Sequence, residues 1–198
     1  MNYVLPKPIT VELDDHEIQH IEVMAKEIFY CPVRRKNRQY EEVYNATLSG
    51  VILEFALVRQ GAIKNNAVFD EKNQSSYDWD VIWNNWRSEI KCTADPDKMP
   101  ENAKMKWVTF PLSSVQTFIN NITRNPNCVD IIIFGCYDKI SENKFECKWR
   151  LVAPADSFKS STKKCNPKWS SSYYKKTGAL KYFYNHFSES LAIYNTSL

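Results

Sequence analysis

Tyr77 to Thr93 reads YDWDVIWNNWRSEIKCT, and the rest of the chain is organised around it. A run rich in Tyr, Trp, Val and Ile alternates with acids, meets Asn84-Asn85, and gives way to a second alternating run. Asparagine tolerates the positive φ that a two-residue hairpin loop demands, so the stretch predicts a β-hairpin. With Asn84 and Asn85 as the loop, Trp83 faces Trp86, Ile82 faces Arg87, Asp80 faces Glu89 and Asp78 faces Lys91. Alternation then gathers Asp78, Asp80, Glu89 and Lys91 on one face. Tyr77, Trp79, Val81, Trp83, Trp86, Ile90 and Cys92 take the other.

That register carries a cost. Opposed residues stand about 4.5–5.5 Å apart at Cβ, and like charges there are destabilising. A divalent cation between the acids would turn the repulsion into binding, because Mg²⁺ prefers a few carboxylate oxygens plus waters. Lys91 would then sit where it could orient an attacking water or stabilise developing charge. The plainer alternative is a solvated acidic face on an exposed hairpin.

Asp80, eight residues, then Glu89-Ile90-Lys91 resembles the core of the PD-(D/E)xK nucleases. In that family an acid on one strand and an acid-x-lysine on the next bind divalent metal and cut phosphodiester bonds. Trp79 stands where the family often has proline. Asp78 is a second candidate for the role expected of Asp80; the position opposite Glu89 favours Asp80.

Upstream, Gln39 to Arg59 reads as a helix with an apolar stripe of Tyr44, Leu48, Val51, Phe55 and Val58. Glu54 falls at the edge of that stripe, where an acid needs a partner or lines a cleft. Gly50 would let the helix approach another element closely. Gly50-Val51-Ile52-Leu53-Glu54-Phe55-Ala56-Leu57 resembles the helix that precedes the catalytic hairpin in many of these nucleases, whose glutamate joins the metal site. The two matches span about residues 38–93. The order helix-glutamate, strand-aspartate, Glu-x-Lys is more specific than either piece.

A second helix is expected over 12–30, where Ile18, Ile21, Ala25 and Ile28 recur at helical spacing behind Asp14 and Asp15. It contains His16-Glu17-Ile18-Gln19-His20, a literal HExxH, whose chemical reading is a zinc protease helix with Glu17 as general base. Against it, both histidines point away from the apolar stripe, and nothing picks out His186, the one other histidine, as a third ligand. Between the helices lies a basic knot of Arg34, Arg35, Lys36 and Arg38, either a solvated loop or a phosphate contact.

Beyond the hairpin, Trp107 to Phe110 is a strand candidate and Pro111 to about Ile122 a helix. Val129 to Tyr137, VDIIIFGCY, is the most apolar run and predicts a buried central strand. Phe145 to Val152 alternates and would pair with it across Asp138–Asn143. From 153 onward the composition turns basic and aromatic. Lys159, Lys163, Lys164, Lys168, Lys175, Lys176 and Lys181 are interleaved with Trp169, Tyr173, Tyr174, Tyr182 and Tyr184. Lysines neutralise phosphates while aromatics stack on bases, so a nucleic-acid contact at 157–177 is one reading; a basic surface helix behind a solvated loop is the other.

The 198 residues suit a single domain, with N-terminal helices over 1–60, a catalytic sheet core over 77–152 and a basic aromatic segment over 153–198. Hydrophobic content of 43%, charged content of 25% and a net charge of +3 are ordinary for a globular chain. No apolar run approaches the ~20 residues of a membrane span, and MNYVLPKPIT lacks a signal peptide's apolar core, so no membrane association is expected. The six cysteines form no CxxC pair and read as free thiols in a reducing cytoplasm, with Cys92 and Cys136 acting as small hydrophobes within strands.

The fold class expected is α/β, and the resemblance implies a restriction-endonuclease-like core, a mixed central sheet flanked by helices. The function expected is a metal-dependent deoxyribonuclease, an endonuclease of restriction or phage type acting on DNA. Glu54, Asp80 and Glu89 would hold Mg²⁺, for which Mn²⁺ would substitute, and Lys91 would complete the catalytic set. Arg34, Arg35, Lys36, Lys163, Lys164, Lys168, Lys175 and Lys176 would contact nucleic acid. Restriction-like nucleases often dimerise to cut both strands, so a homodimer is an expectation whose interface no segment locates. The alternatives are a catalytically idle nucleic-acid-binding protein and a zinc protease.

Overall fold

The computed structural model describes residues 4–31, 37–65, 79–93, 95, 98 and 129–155. In it the apolar run at Val129 becomes a nine-residue strand in the middle of a sheet, with Ile131 to Phe134 almost wholly buried. Around it the chain runs β1 (Ile9–Glu12), α1 (Asp15–Tyr30), α2 (Tyr40–Val58), β2 (Ile63–Lys64), β3 (Val81–Trp83), β4 (Trp86–Cys92), β5 (Ile131–Lys139) and β6 (Lys144–Pro154). The described strands form one six-stranded sheet in the order β1-β6-β5-β4-β3-β2. Only β4 and β5 pair in parallel; the other neighbours are antiparallel. The architecture is therefore mixed α/β.

The hairpin arithmetic holds where β3 and β4 meet. Trp83 pairs with Trp86, Ile82 with Arg87 and Val81 with Ser88. Asn84 and Asn85 take φ of 48° and 66°, the left-handed values that a two-residue loop needs to follow the twist of its strands. β5 and β6 form the expected second hairpin, from Lys139 opposite Phe145 onward, with a bulge between Phe134 and Gly135.

One core lies between the sheet and α2. Val81, Ile90, Ile131, Ile133, Phe145, Cys147, Trp149 and Val152 pack with Val51, Ile52, Leu53, Ala56 and Leu57 of the helix. Gly135 marks the closest approach: a Cβ there would stand 2.9 Å from Trp149 Cε3 and 3.0 Å from Leu53 Cδ2. α1 packs on α2 and buries Ile21 and Ala25. A capping box starts α1, with the Glu17 amide donating to Asp14 Oδ1 (2.8 Å) and the Asp14 amide donating to Glu17 Oε2 (3.1 Å).

Several expectations need correction. β1 and β2, four and two residues long, go unread in the sequence because neither spans enough residues to display alternation. The α2 stripe is misplaced: Val43, Thr47, Val51, Ile52, Leu53, Ala56 and Leu57 are buried, while Tyr44, Leu48, Phe55 and Val58 are only partly so. α2 is covered by the sheet and by α1, and a helix covered from two directions has no single stripe. Gly50 has nothing within 4 Å of where a Cβ would stand, so it is not a close-approach residue. Cys92 is exposed rather than a small core hydrophobe, whereas Cys136 is buried.

Between β4 and β5 the structure describes only 95 and 98 of residues 94–128. The strand expected at Trp107–Phe110 and the helix expected from Pro111 to Ile122 fall in that connection, outside the described residues. Tyr77, Asp78, Arg34, Arg35, Lys36 and the basic aromatic segment from 156 onward, with Lys163, Lys164, Lys168, Lys175 and Lys176, also lie outside them. No described helix is long and apolar enough to cross a membrane.

Candidate carboxylate site

β4 sets the frame of the site. Ile90 enters the core, so its neighbours Glu89 and Lys91 emerge on the other face of the strand. There the two side chains, 16% and 26% exposed, form an ion pair between Lys91 Nζ and Glu89 Oε1.

Asp80 arrives differently from the expected face-to-face pairing with Glu89. The regular register ends at Val81 opposite Ser88. The Asp80 amide donates to the Ser88 carbonyl (2.9 Å), and the Asp80 carboxylate accepts the Ile90 amide through Oδ2 at 2.6 Å. The side chain thus takes a strand donor that a continued ladder would have given to a carbonyl. The reason is electrostatic: a carboxylate opposite Glu89 gains nothing from the pairing, while a backbone N–H satisfies it. Asn65, just after β2, completes the clamp, its amide donating to the Asp80 carbonyl (2.9 Å) and its Nδ2 to the Trp79 carbonyl (2.8 Å). Asp80 is held by backbone on both sides.

Glu54 comes from α2, which packs on β4, β3 and β2. Burial pushes its carboxyl up to about 7, Lys64 and Lys91 pull it down, and Glu89 adds to the rise. The Asp80 carboxyl is pushed well above the carboxylate range, by burial first and then by Glu89 and Glu54, against the pull of Lys91 and the Ile90 amide. Burial lowers Lys91, but the charges of Glu89 and Asp80 and the hydrogen bond to Glu89 outweigh it and leave the ammonium more firmly protonated than usual. Glu54, Asp80 and Lys91, with the Glu89 charge acting on each, therefore form one electrostatic unit. The sequence reading names the same four residues.

Lys64 is the member that reading lacks. It lies on β2 opposite Val81, and its Nζ stands 5.2 Å from the centroid of the Phe55 ring, next to Glu54 in α2. A two-residue strand directly after a helix offers no pattern by which to find it. Arg87 and Asp130 are a second omission. The Arg87 guanidinium grips Asp130 through Nη2 to Oδ1 (2.7 Å) and Nε to Oδ2 (2.9 Å), and the Arg87 amide also donates to Oδ2 (2.9 Å). This bidentate pair ties the start of β4 to the residue before β5 and holds the Asp130 carboxyl below its usual range.

The HExxH pentad has other employment. Glu17 caps α1 and pairs with Arg59 Nη2 at 2.7 Å, while His16 and His20 are exposed. His186 lies outside the described residues.

Among the described residues no three His, Cys, Asp or Glu side chains stand together as a metal-holding group. The donor chemistry of the carboxylate site nevertheless suits a hard cation, since every candidate ligand is an oxygen. Asp80 Oδ1 and Glu89 Oε2 make no hydrogen bond within the described structure, and burial is the first cause that raises the Glu54 and Asp80 carboxyls. Comparison of the chain with protein families, with curated proteins and with solved structures finds no match.

Proposed function

We propose that this protein is a metal-dependent nuclease that hydrolyses phosphodiester bonds in DNA, built on a restriction-endonuclease-like core of the PD-(D/E)xK kind. One observation carries the reading: Asp80 is fixed on the amide of Ile90, the residue between Glu89 and Lys91, and Glu54 from α2 is electrically coupled to all three. A helix glutamate, a strand-end aspartate and a Glu-x-Lys thus act on one another in the order that the resemblance implies. The described strands form a mixed sheet, with β4 inside it and the short β3 and β2 at one end.

Glu54, Asp80 and Glu89 would hold Mg²⁺ or Mn²⁺. The ion would supply charge to activate water and to stabilise the leaving oxygen. Lys91 keeps its proton, so it acts as a fixed cation beside Glu89 and not as a base; its place suits stabilising charge that develops on phosphate oxygen. Glu89 lies next to it to orient the attacking water. Asp80, pinned through Oδ2, presents Oδ1 without a rotamer search.

A second reading rests on the Lys91–Glu89 pair itself. If Lys91 permanently neutralises Glu89 in the place of a cation, the fold binds nucleic acid without turnover. Incubation with supercoiled, linear and single-stranded DNA, in Mg²⁺ or EDTA, separates the two. Nicking or linearisation of supercoiled DNA that EDTA stops is the expected result. Binding without cleavage under every condition replaces the nuclease with the idle binder, and neither binding nor cleavage removes both.

A further inference from the structure

We infer that Lys64 is a phosphate-contacting residue of this site, holding the backbone of duplex DNA where it passes the open edge of the sheet. The inference rests on the nuclease reading and adds to it the direction from which substrate arrives.

Five observations lead there. β2 is the outermost strand, and Ile63 beside Lys64 is 63% exposed, so this edge is open to solvent among the described residues. Lys64 pairs with Val81, the neighbour of Asp80, and Asn65 bonds directly to the Asp80 backbone, so the lysine is built into the same clamp that fixes the aspartate. Its Nζ stands over the Phe55 ring at 5.2 Å. Within the described structure it makes neither a hydrogen bond nor an ion pair. Lys91 is already paired with Glu89, which leaves Lys64, among the described residues, as the cation at this site with donors to spare.

The chemistry requires such a group. Three carboxylates repel a polyanion, and a phosphodiester approaches them only if positive charge lies along its path. A lysine is a compact point charge with three rotatable donors, suited to a phosphate whose orientation is not yet fixed. The ring of Phe55 limits where the ammonium can go while leaving those donors available. After burial, the Lys64 charge is also the largest influence on Glu54, which places it close enough to serve the same substrate. A competing explanation is purely structural: Lys64 offsets Glu54 and touches no ligand.

Salt dependence of binding distinguishes them. The full chain, Lys64→Ala and Lys64→Arg are titrated with a fluorescent DNA duplex in EDTA over a range of KCl, with a thermal melt of each protein. Losing one phosphate contact lowers the slope of log K against log [salt] by about 0.9, and arginine should restore it. Lys64→Ala should therefore bind more weakly at low salt, converge on the wild type as salt rises, and recover with Lys64→Arg. A folded Lys64→Ala with the wild-type slope overturns the inference, while EDTA-sensitive cleavage by the wild type still upholds the nuclease. Wild type that neither binds nor cleaves duplex DNA overturns both. If Lys64→Ala melts too early to titrate, the slope of Lys64→Gln decides in its place.

Discussion

Replacing Glu54 by glutamine should stabilise this protein at neutral and alkaline pH, an unusual outcome for a change at a half-buried position. The carboxyl is raised from 4.5 to about 7, chiefly by burial. In the unfolded chain it ionises near 4.5; in the folded protein it holds its proton until about 7. The sign follows: the folded state is at its best below the unfolded value, loses stability as pH climbs between the two, and stays at the lower level above them. At 1.36 kcal/mol per unit, the loss amounts to about 3 kcal/mol, shared with Asp80 and Glu89 because the three repel one another. Glutamine has the shape of the protonated acid and never ionises. Glu54→Gln should match the wild type at about pH 4.5 and exceed it by up to about 3 kcal/mol above about pH 7, roughly 6–12 °C in Tm for a domain of this size. Thermal melts of both proteins across that range, in EDTA, make the measurement. A second series with Mg²⁺ should raise the wild-type Tm by linkage, and the variant should lose most of that increment. A Tm difference independent of pH would refute the reasoning, because it would mean that Glu54 does not ionise at a cost inside the protein.

Asp80→Asn should keep the bond to the Ile90 amide while removing a charge, so its Tm without metal should equal or exceed the wild type's, and Mg²⁺ should no longer raise it. Asp80→Ala should instead lose about 1–3 kcal/mol, because the Ile90 N–H is left without its acceptor; equal melts for Asn and Ala would show that this bond does not matter. Lys91→Ala should abolish cleavage of supercoiled DNA while binding persists, and a folded variant cutting at the wild-type rate would remove Lys91 from the site. Gly135→Ala should cost about 1–3 kcal/mol in urea titration, since the added methyl meets the Trp149 ring at 2.9 Å; a neutral result would mean that ring gives way freely.

The parts of the fold legible in the sequence are those where a local rule acts alone. Asn84-Asn85 fixes the hairpin register because the loop has two residues and needs left-handed backbone. Ile131 to Phe134 announces a buried strand because every position is apolar. The rest depended on partners far along the chain. Ile9–Glu12 is a strand because Phe145 to Cys147 offers it an edge, and nothing within those four residues says so. The buried face of α2 differs from the stripe its spacing predicts because α1 covers what would otherwise be its free side. At the candidate site the sequence shows which residues could come together but not their geometry. Counting back from Asn84 placed Asp80 opposite Glu89, whereas the folded chain breaks the ladder at that step to give the aspartate an N–H. The place proposed for Lys64 beside Asp80 exists only once β2 has joined β3, which no local pattern announces.

The interleaving of early and late strands has a consequence for synthesis on the ribosome. Residues 54 to 91 contain every proposed active-site side chain, yet β4 gains its inner neighbour only from β5, and β1 has no partner until β6 has been made. Until about residue 154 has cleared the exit tunnel, Val51, Leu53 and Leu57 have no completed sheet to lie against. The sheet closes through contacts distant in sequence, so the nascent chain carries an exposed apolar helix while residues 59–154 are being added, and its folding belongs to the slower, non-local class. For the same reason 54–91 is not a portable cassette: cut out of the chain, it would take the chemistry without the sheet that aims it.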